Sequence, residues 1–310
     1  MSRVLVAEEV AASGLELFRQ AGHEVLELVG APRERLLAEL STADALLVRS
    51  GTKVDRELLA AAPRLTVVGR AGVGVDNVDV PAATARGVLV INAPTANVVS
   101  AVEHTFALLF ALLRRIPDAA VSMAQGKWEK SRFLGSELAG KTLGIVGLGQ
   151  VGSRVAARAR AFEARLLGHD PYLPAEKGRE MGVPLVSLAE LLEGSDIVTL
   201  HATATEKGKV LLGRDEFRRM RRGAILLNVA RGSLVDASAL HEALQSGHLA
   251  GAALDVFEPE PPAADDPLRR LPNVISTPHL GASTVEAQER VSLQTVQAVL
   301  EALRGESYVP

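Results

Sequence analysis

The sequence predicts an α/β protein built as two doubly wound parallel-sheet domains. Three observations carry this. Short apolar runs alternate with helical patterns over residues 1–95. A second alternating region begins near Lys141. Within it, the apolar run 143–146 leads directly into Gly147-x-Gly149-x-x-Gly152. Strands separated by helical stretches bury both faces of a sheet, which favours parallel strands with helices on either side.

In the first region, residues 4–7, 24–28, 45–48, 67–69 and 88–92 read as strands. Helical patterns fill the intervals, as at 12–21, 32–40 and 55–61. Residues 97–116 form one long, mostly apolar helix that carries Glu103 and His104. Those polar groups, and a length at the margin of a bilayer span, predict a buried interdomain or dimer helix rather than a membrane segment. In the second region the strands read as 142–146, 165–169, 197–200, 224–228, 251–255 and 274–276. Six is the number a complete dinucleotide-binding sheet needs. The last helix, 283–304, follows Gly281 and stops at Gly305. It is amphipathic and needs a partner surface, which is expected on the first domain. The expected division is therefore 1–96 with 283–310 as a discontinuous substrate-binding domain, and 97–282 as the dinucleotide-binding domain.

Composition narrows the function classes. The chain has 310 residues, 47% of them hydrophobic, enough for two cores. A net charge of −3 supplies no basic field for nucleic acid. The absence of cysteine removes disulfides, thiolate zinc sites and thiol nucleophiles. The histidines are scattered, so no metal site is expected. The N-terminus enters a strand without a signal-peptide layout, and the expected compartment is the cytoplasm. Trp128 and Phe133 follow the apolar helix in a polar setting, which predicts a homodimer or higher homo-oligomer.

The glycine segment has a specific physical reading. Gly147 permits a tight turn, Gly149 lets the backbone approach a pyrophosphate, and Gly152 lets the following helix pack close to the strand. The helix N-terminus then offers unpaired N–H groups and a positive dipole end to phosphates. Asp170 lies 18 residues after the last glycine, where an acid accepts from the ribose hydroxyls. A carboxylate there repels a 2′-phosphate and so favours NAD over NADP. A purely structural glycine turn and a methyltransferase-type adenosine site are the competing readings.

Three loop tips follow predicted strands, where ligands bind in an open α/β sheet. They carry Arg231, Glu260 and His279. An arginine fork can grip a carboxylate and polarise the neighbouring carbonyl. A histidine can take the proton from a hydroxyl as hydride leaves, and return it in reverse. A glutamate bonded to that histidine would orient it and raise its pKa. Taken singly, each has a plainer reading: a surface ion pair, a structural loop histidine, a solvated acid. Behind a dinucleotide turn, their combination favours hydride transfer.

The segments GIVGLGQVG at 144–152, LLNVARGSLVD at 226–236, AALDVFEPEPP at 252–262 and NVISTPHLGAST at 273–284 occur in order. With them the chain resembles the D-isomer-specific 2-hydroxyacid dehydrogenase family over essentially its whole length. Further segments, including VRSGTKV at 48–54, VVGRAGVGVDNVD at 67–79 and NAPTANVVSAVEHT at 92–105, are similar to the branch acting on 3-phosphoglycerate. The resemblance implies a Rossmann-like cofactor domain and a flavodoxin-like substrate domain with a cleft between them. It implies NAD as cofactor and a small phosphorylated 2-hydroxy acid as substrate; the charge and the short apolar runs predict no nucleic-acid or membrane partner.

The resemblance also implies residue roles. Arg231, Glu260 and His279 match the catalytic set. Gly147, Gly149, Gln150, Val151 and Gly152 match the phosphate turn, and Asp170 the ribose acid. His201, Ala202, Val229, Ala230 and Asp255 match positions around the adenine and nicotinamide halves, with Asp255 near the carboxamide. His279, Leu280, Gly281 and Ala282 would line the nicotinamide end. Val73 and Gly74 match a loop offering amides to the substrate carboxylate. Arg49, Arg70 and Asn97 match substrate-side positions, where two arginines would neutralise a phosphate. Glyoxylate or hydroxypyruvate reduction, and an NADH-sensing corepressor on the same fold, remain as alternatives.

Two departures from the family pattern stand out. The family often has His-x-Pro where this chain has His201-Ala-Thr-Ala-Thr205, which bears on cofactor affinity and preference. Val73 replaces a threonine common in relatives, at a contact expected through the backbone. Longer members carry a C-terminal serine-sensing domain. This sequence stops at Pro310, so feedback inhibition by serine through that route is not expected.

Overall fold

β-Branched and aliphatic residues build five short strands in the N-terminal half: β1 Arg3–Val6, β2 Glu24–Glu27, β3 Ala45–Val48, β4 Val67–Arg70 and β5 Leu89–Asn92. They pair in parallel in the order β2-β1-β3-β4-β5, the flavodoxin-like winding. The central strand β3 reads Ala-Leu-Leu-Val and is buried throughout, as a strand covered on both faces must be. The edge strand β2 carries Glu24 and Glu27 exposed. One face of the sheet packs Leu5, Leu46 and Val68 against Leu36 and Leu58. The other packs Val6, Leu47 and Val67 against Phe18, Val296 and Val299.

The computed structural model describes residues 1–203 and 210–305. It divides into two units, Met1–Val99 with Ala282–Pro310, and Ser100–Gly281. The last helix, Val285–Leu303, belongs to the first unit and packs on β4, β5 and the helix Ala12–Gln20. Gly69 in β4 makes that packing possible, because a Cβ there would lie 2.7 Å from Val299 Cγ2. Thr284 caps the helix by accepting from the Ala287 amide at 3.1 Å.

Among its described residues the second unit has six strands: β6 Thr142–Val146, β7 Arg165–His169, β8 Ile197–Leu200, β9 Ile225–Asn228, β10 Gly251–Leu254 and β11 Val274–Ser276. All are parallel, in the order β11-β10-β9-β8-β6-β7. An isolated parallel bridge, Gly168 to Leu185, extends the pairing beyond β7. The chain reverses direction across the sheet between β6 and β8. A crevice opens beyond the carboxyl ends of strands at such a switch point.

Element ends differ from expectation by a residue or so. The larger difference is at 97–116, expected as one helix. The helix Val98–Leu113 stops, Arg115 takes a left-handed φ of 53°, and a new helix runs Ile116–Ala124. Pro117 explains the break, since its ring cannot continue a helix but suits the first turn of a new one. Among the described residues no helix is long and apolar enough to cross a membrane, and no acid or histidine group could hold a metal.

Candidate active site

Strand β6 ends at Val146, and the chain turns through Gly147 with φ of 87°. A Cβ on Gly147 would sit 2.8 Å from the His201 and Ala202 backbone. A Cβ on Gly152 would lie 1.9 Å from the Gly147 carbonyl oxygen, so only glycine lets the helix Gln150–Ala161 start this close to the strand. Gly149, by contrast, faces open space. A cradle closed on one side and open on the other fits a dinucleotide pyrophosphate laid against the helix N-terminus. Gln150 holds Arg154 through its carbonyl and side-chain oxygens at 2.8 and 2.7 Å. The Val151 side chain packs on the core.

Asp170 follows β7. Its Oδ2 accepts from the Leu148 amide at 2.9 Å and its Oδ1 from the Tyr172 amide at 3.0 Å. Each oxygen retains a lone pair for a further donor such as a ribose hydroxyl. A cavity of about 470 Å³ lies against it, lined by Gly147, Asp170, Tyr172, Ala202 and Leu234 among others. His201 closes β8 and shares a 2.9 Å hydrogen bond with the Thr199 hydroxyl. Desolvation pushes its pKa down to about 4, so it is neutral near pH 7. Ala204 and Thr205, the end of the segment lacking the family's proline, lie outside the described residues.

Three loops beyond β9, β10 and β11 carry the candidate chemistry. The first is folded by Asn228, which donates to the Arg231 carbonyl at 2.9 Å and accepts from the Ala230 amide at 3.1 Å. Val229 and Ala230 pack on the core, and Arg231 Nη1 donates to the Ala230 carbonyl at 2.7 Å. The second loop comes close because Gly232 is a glycine: a Cβ there would lie 2.1 Å from the Phe257 carbonyl. Glu260 Oε1 accepts from the Phe257 amide at 2.9 Å, which aims the other carboxylate oxygen outward.

That oxygen meets the third loop. His279 Nδ1 lies 2.8 Å from Glu260 Oε2. The hydrogen bond to Glu260 raises the His279 pKa against opposing desolvation, with Glu260 and Asp255 charge adding and Arg231 charge subtracting. For Glu260 the largest effect is burial, which raises its pKa. The hydrogen bonds from His279 and Phe257, with the His279 and Arg231 charges, outweigh that and leave it lowered. The two shifts agree on an ionised carboxylate beside an imidazole that holds its proton to higher pH than usual. With Nδ1–H directed at the carboxylate, Nε2 is the nitrogen left to exchange a proton.

Asp255 begins the turn after β10 and is 1% exposed. Both of its oxygens receive protein donors, from Thr277 at 2.6 Å, Leu280 at 2.8 Å and Gly281 at 2.8 Å. Burial alone would raise its pKa, but the His104, Thr277 and Leu280 hydrogen bonds hold it below the usual carboxylate range. Its carboxylate thus shapes the segment that carries His279. Sequence reasoning missed this, along with Thr277 and His104. The one visible signal was His104 itself, an imidazole in an otherwise apolar helix.

The remaining expected residues belong to the first unit. Glu8 clamps the loop after β3, accepting from the Arg49 and Thr52 amides at 2.8 Å and from Gly51 at 3.0 Å. Arg70 ends β4 and lays its guanidinium where a Cβ on Gly72 would be, next to Val73 and Gly74. Asn92 donates to the Val73 carbonyl, pinning that loop. Asn97 immediately precedes the helix Val98–Leu113, and Ala282 receives a hydrogen bond from Gln288 at 2.7 Å.

Residues 106–281, more than half of the chain, match the family model described as D-isomer specific 2-hydroxyacid dehydrogenase, NAD binding domain. The chain belongs to the D-isomer specific 2-hydroxyacid dehydrogenase family. It is 46% identical over 303 residues to a protein named D-3-phosphoglycerate dehydrogenase from Archaeoglobus fulgidus, covering 98% of this chain and 58% of that protein. It is 47% identical over 305 residues to one of the same name from Bacillus subtilis, again covering 98% and 58%. The chain thus spans about three-fifths of the length of these relatives. Among solved structures, D-lactate dehydrogenase from Aquifex aeolicus, complexed with NAD and lactic acid, superposes with a TM-score of 0.84. That pair shares 30% identity and covers 98% and 96% of the two chains. The glycine cradle, Asp170 and the adjoining cavity fall inside the segment that defines the family's NAD-binding domain.

Proposed function

We propose that this chain catalyses the NAD-dependent oxidation of D-3-phosphoglycerate to 3-phosphohydroxypyruvate, a step of serine biosynthesis. The observation that carries the chemistry is the 2.8 Å pair between His279 and Glu260 in the unit that holds the glycine cradle. The choice of substrate is supported by the relatives named D-3-phosphoglycerate dehydrogenase, 46 and 47% identical to this chain. NAD, when bound, supplies the hydride acceptor. The cradle Gly147–Gly152, Gln150 and Val151 would hold its phosphates, Asp170 its ribose, and His201, Ala202, Val229, Ala230, Asp255 and the 280–282 segment its two rings.

The chain's own residues then do the rest. Arg231 grips the substrate carboxylate and polarises the carbon–oxygen bond at C2. His279 Nε2 accepts the hydroxyl proton as the C2–H electron pair departs and the carbonyl forms. Glu260 stabilises the resulting imidazolium and keeps Nε2 in the reactive orientation. In reduction His279 returns that proton to the carbonyl oxygen. Val73 and Gly74 contribute amides for the carboxylate. Arg49 and Arg70, with Asn97, receive the phosphorylated end, where planar guanidinium groups match a dianion.

The same reading places the protein in the cytoplasm as a homodimer. Trp128 is 81% exposed and Leu134 88%, close in sequence to exposed Ile116, Val121 and Met123. Apolar surface of this kind marks an interface. Phe133, by contrast, is covered by the Arg115 and Arg132 guanidinium groups.

The test is NADH formation with NAD and a panel of D-3-phosphoglycerate, D-glycerate, D-lactate and glycolate, with NADP in parallel. Turnover should be selective for phosphoglycerate and NAD. Arg49→Ala and Arg70→Ala should each raise KM for phosphoglycerate by about tenfold or more, the scale of a lost charge-assisted hydrogen bond. Preference for an unphosphorylated acid would overturn the substrate. Absence of turnover with every acid would point to a nucleotide-sensing protein instead.

A further inference from the structure

Four donors converge on the buried Asp255 carboxylate. Oδ1 takes the Thr277 hydroxyl at 2.6 Å, the Leu280 amide at 2.8 Å and His104 Nε2 at 3.1 Å. Oδ2 takes the Gly281 amide at 2.8 Å. Three of these donors belong to residues 277–281, the segment carrying His279. The fourth reaches in from the helix Val98–Leu113, in the same unit. The His279 amide also donates to the Asp255 carbonyl at 2.9 Å. His279 needs this support, because its φ of 53° is one that residues other than glycine seldom adopt. Such a conformation persists only where its surroundings over-determine it.

The network also settles which nitrogen of His104 bears the proton. The Thr277 hydroxyl spends its hydrogen on Asp255, so Thr277 Oγ1, 3.2 Å from Nε2, can only accept there. The ionised carboxylate accepts as well. His104 Nε2 therefore carries a hydrogen and donates it into the fork between Thr277 and Asp255. Its side chain is 17% exposed, so solvent competes little for that bond.

We propose that His104 is a positioning residue for proton transfer. By donating to Asp255 and Thr277 it ties the helix to the 277–281 segment and holds the His279 imidazole on Glu260. The proposal rests on His279 being the acid–base group. His104 meets neither substrate nor cofactor in this role. Its effect passes through Asp255 to the backbone on either side of His279. Loss of the donor loosens the segment and lets the imidazole leave its 2.8 Å contact.

The experiment compares His104→Leu, His104→Gln and Thr277→Val with the intact chain. Leucine removes the donor at similar bulk, and glutamine keeps an N–H at similar reach. His104→Leu should lower kcat about tenfold with KM changed less than about twofold, since a misplaced catalytic group costs rate rather than binding. His104→Gln should recover most of the loss, and Thr277→Val should resemble His104→Leu. Histidine-labelled protein supplies a readout independent of activity. The downfield Nδ1–H resonance of His279, identified by its loss in His279→Asn, should broaden or shift upfield in His104→Leu and return in His104→Gln. Wild-type kcat and an unchanged resonance in His104→Leu would overturn the proposal. So would a glutamine variant no better than leucine. Should the leucine variant fail to fold, Thr277→Val and His104→Gln decide on the same readouts. Full turnover in His279→Asn would instead remove the acid–base reading, and the resonance alone would then judge the positioning role.

Discussion

His279 and Glu260 show how two ordinary side chains shift each other's protonation. Each moves the other's pKa in the direction that favours the ion pair, through one 2.8 Å hydrogen bond. Oxidation needs the neutral imidazole, so kcat/KM should fall as pH drops through the raised His279 pKa. Glu260→Gln removes the largest cause of that elevation. The acid limb of the profile should then move to lower pH, and the plateau should drop about tenfold or more, part of what general acid–base catalysis supplies. A limb that stays in place would detach Glu260 from the titration. The pair's effect on stability has opposite signs at its two ends. The His279 contribution is present below the ordinary histidine range and is lost as pH rises through the raised value. The Glu260 contribution is present above the ordinary glutamate range and is lost as pH falls through the lowered value. That Arg231, Glu260 and His279 lie in loops beyond strand ends could be read from sequence, because each loop follows an apolar run. The work of Asp255, Thr277 and His104 could not. It depends on hydrogen bonds between three segments far apart in the chain.

At the level of elements, the glycines decide where backbone may touch backbone. Gly152 lets the helix Gln150–Ala161 meet the turn after β6, and Gly232 lets the Arg231 loop meet the Glu260 loop. The first contact was legible, because the spacing Gly-x-Gly-x-x-Gly has a known geometric cause. The second was not, because a lone glycine after a strand does not say what will approach it. Gly152→Ala would drive a Cβ against the Gly147 carbonyl and displace the cradle. It should weaken NADH binding at least tenfold and cost about 1–3 kcal/mol of stability, the usual range for overpacking. Fluorescence titration with NADH and chemical denaturation measure the two effects, and unaltered affinity would exclude the cradle as the phosphate site. The same scale explains the interrupted helix near Arg115. Apolar periodicity continues through the sequence there, but Pro117 forces a restart.

For the whole molecule, two parallel sheets with different strand orders emerge from one pattern of alternation. The number and sequence of strands were readable because each is a short apolar run bounded by turn residues. The pairing order was reached only through resemblance, since nothing local in β7 says it lies on the far side of β6 from β8. The exposed Trp128 and Leu134 predict a particle in solution with about twice the mass of one chain, measured by light scattering. A single-chain mass would make that surface a site for some other partner.

In the proposed reaction His279, held by Glu260, moves the proton that accompanies hydride transfer. The most direct measurement is turnover of His279→Asn with NAD and D-3-phosphoglycerate, alongside its affinity for NADH. This role for His279 predicts kcat reduced at least about a hundredfold, the lower bound for a lost general base, with NADH affinity within about threefold of the original protein. Turnover near the original value would contradict it.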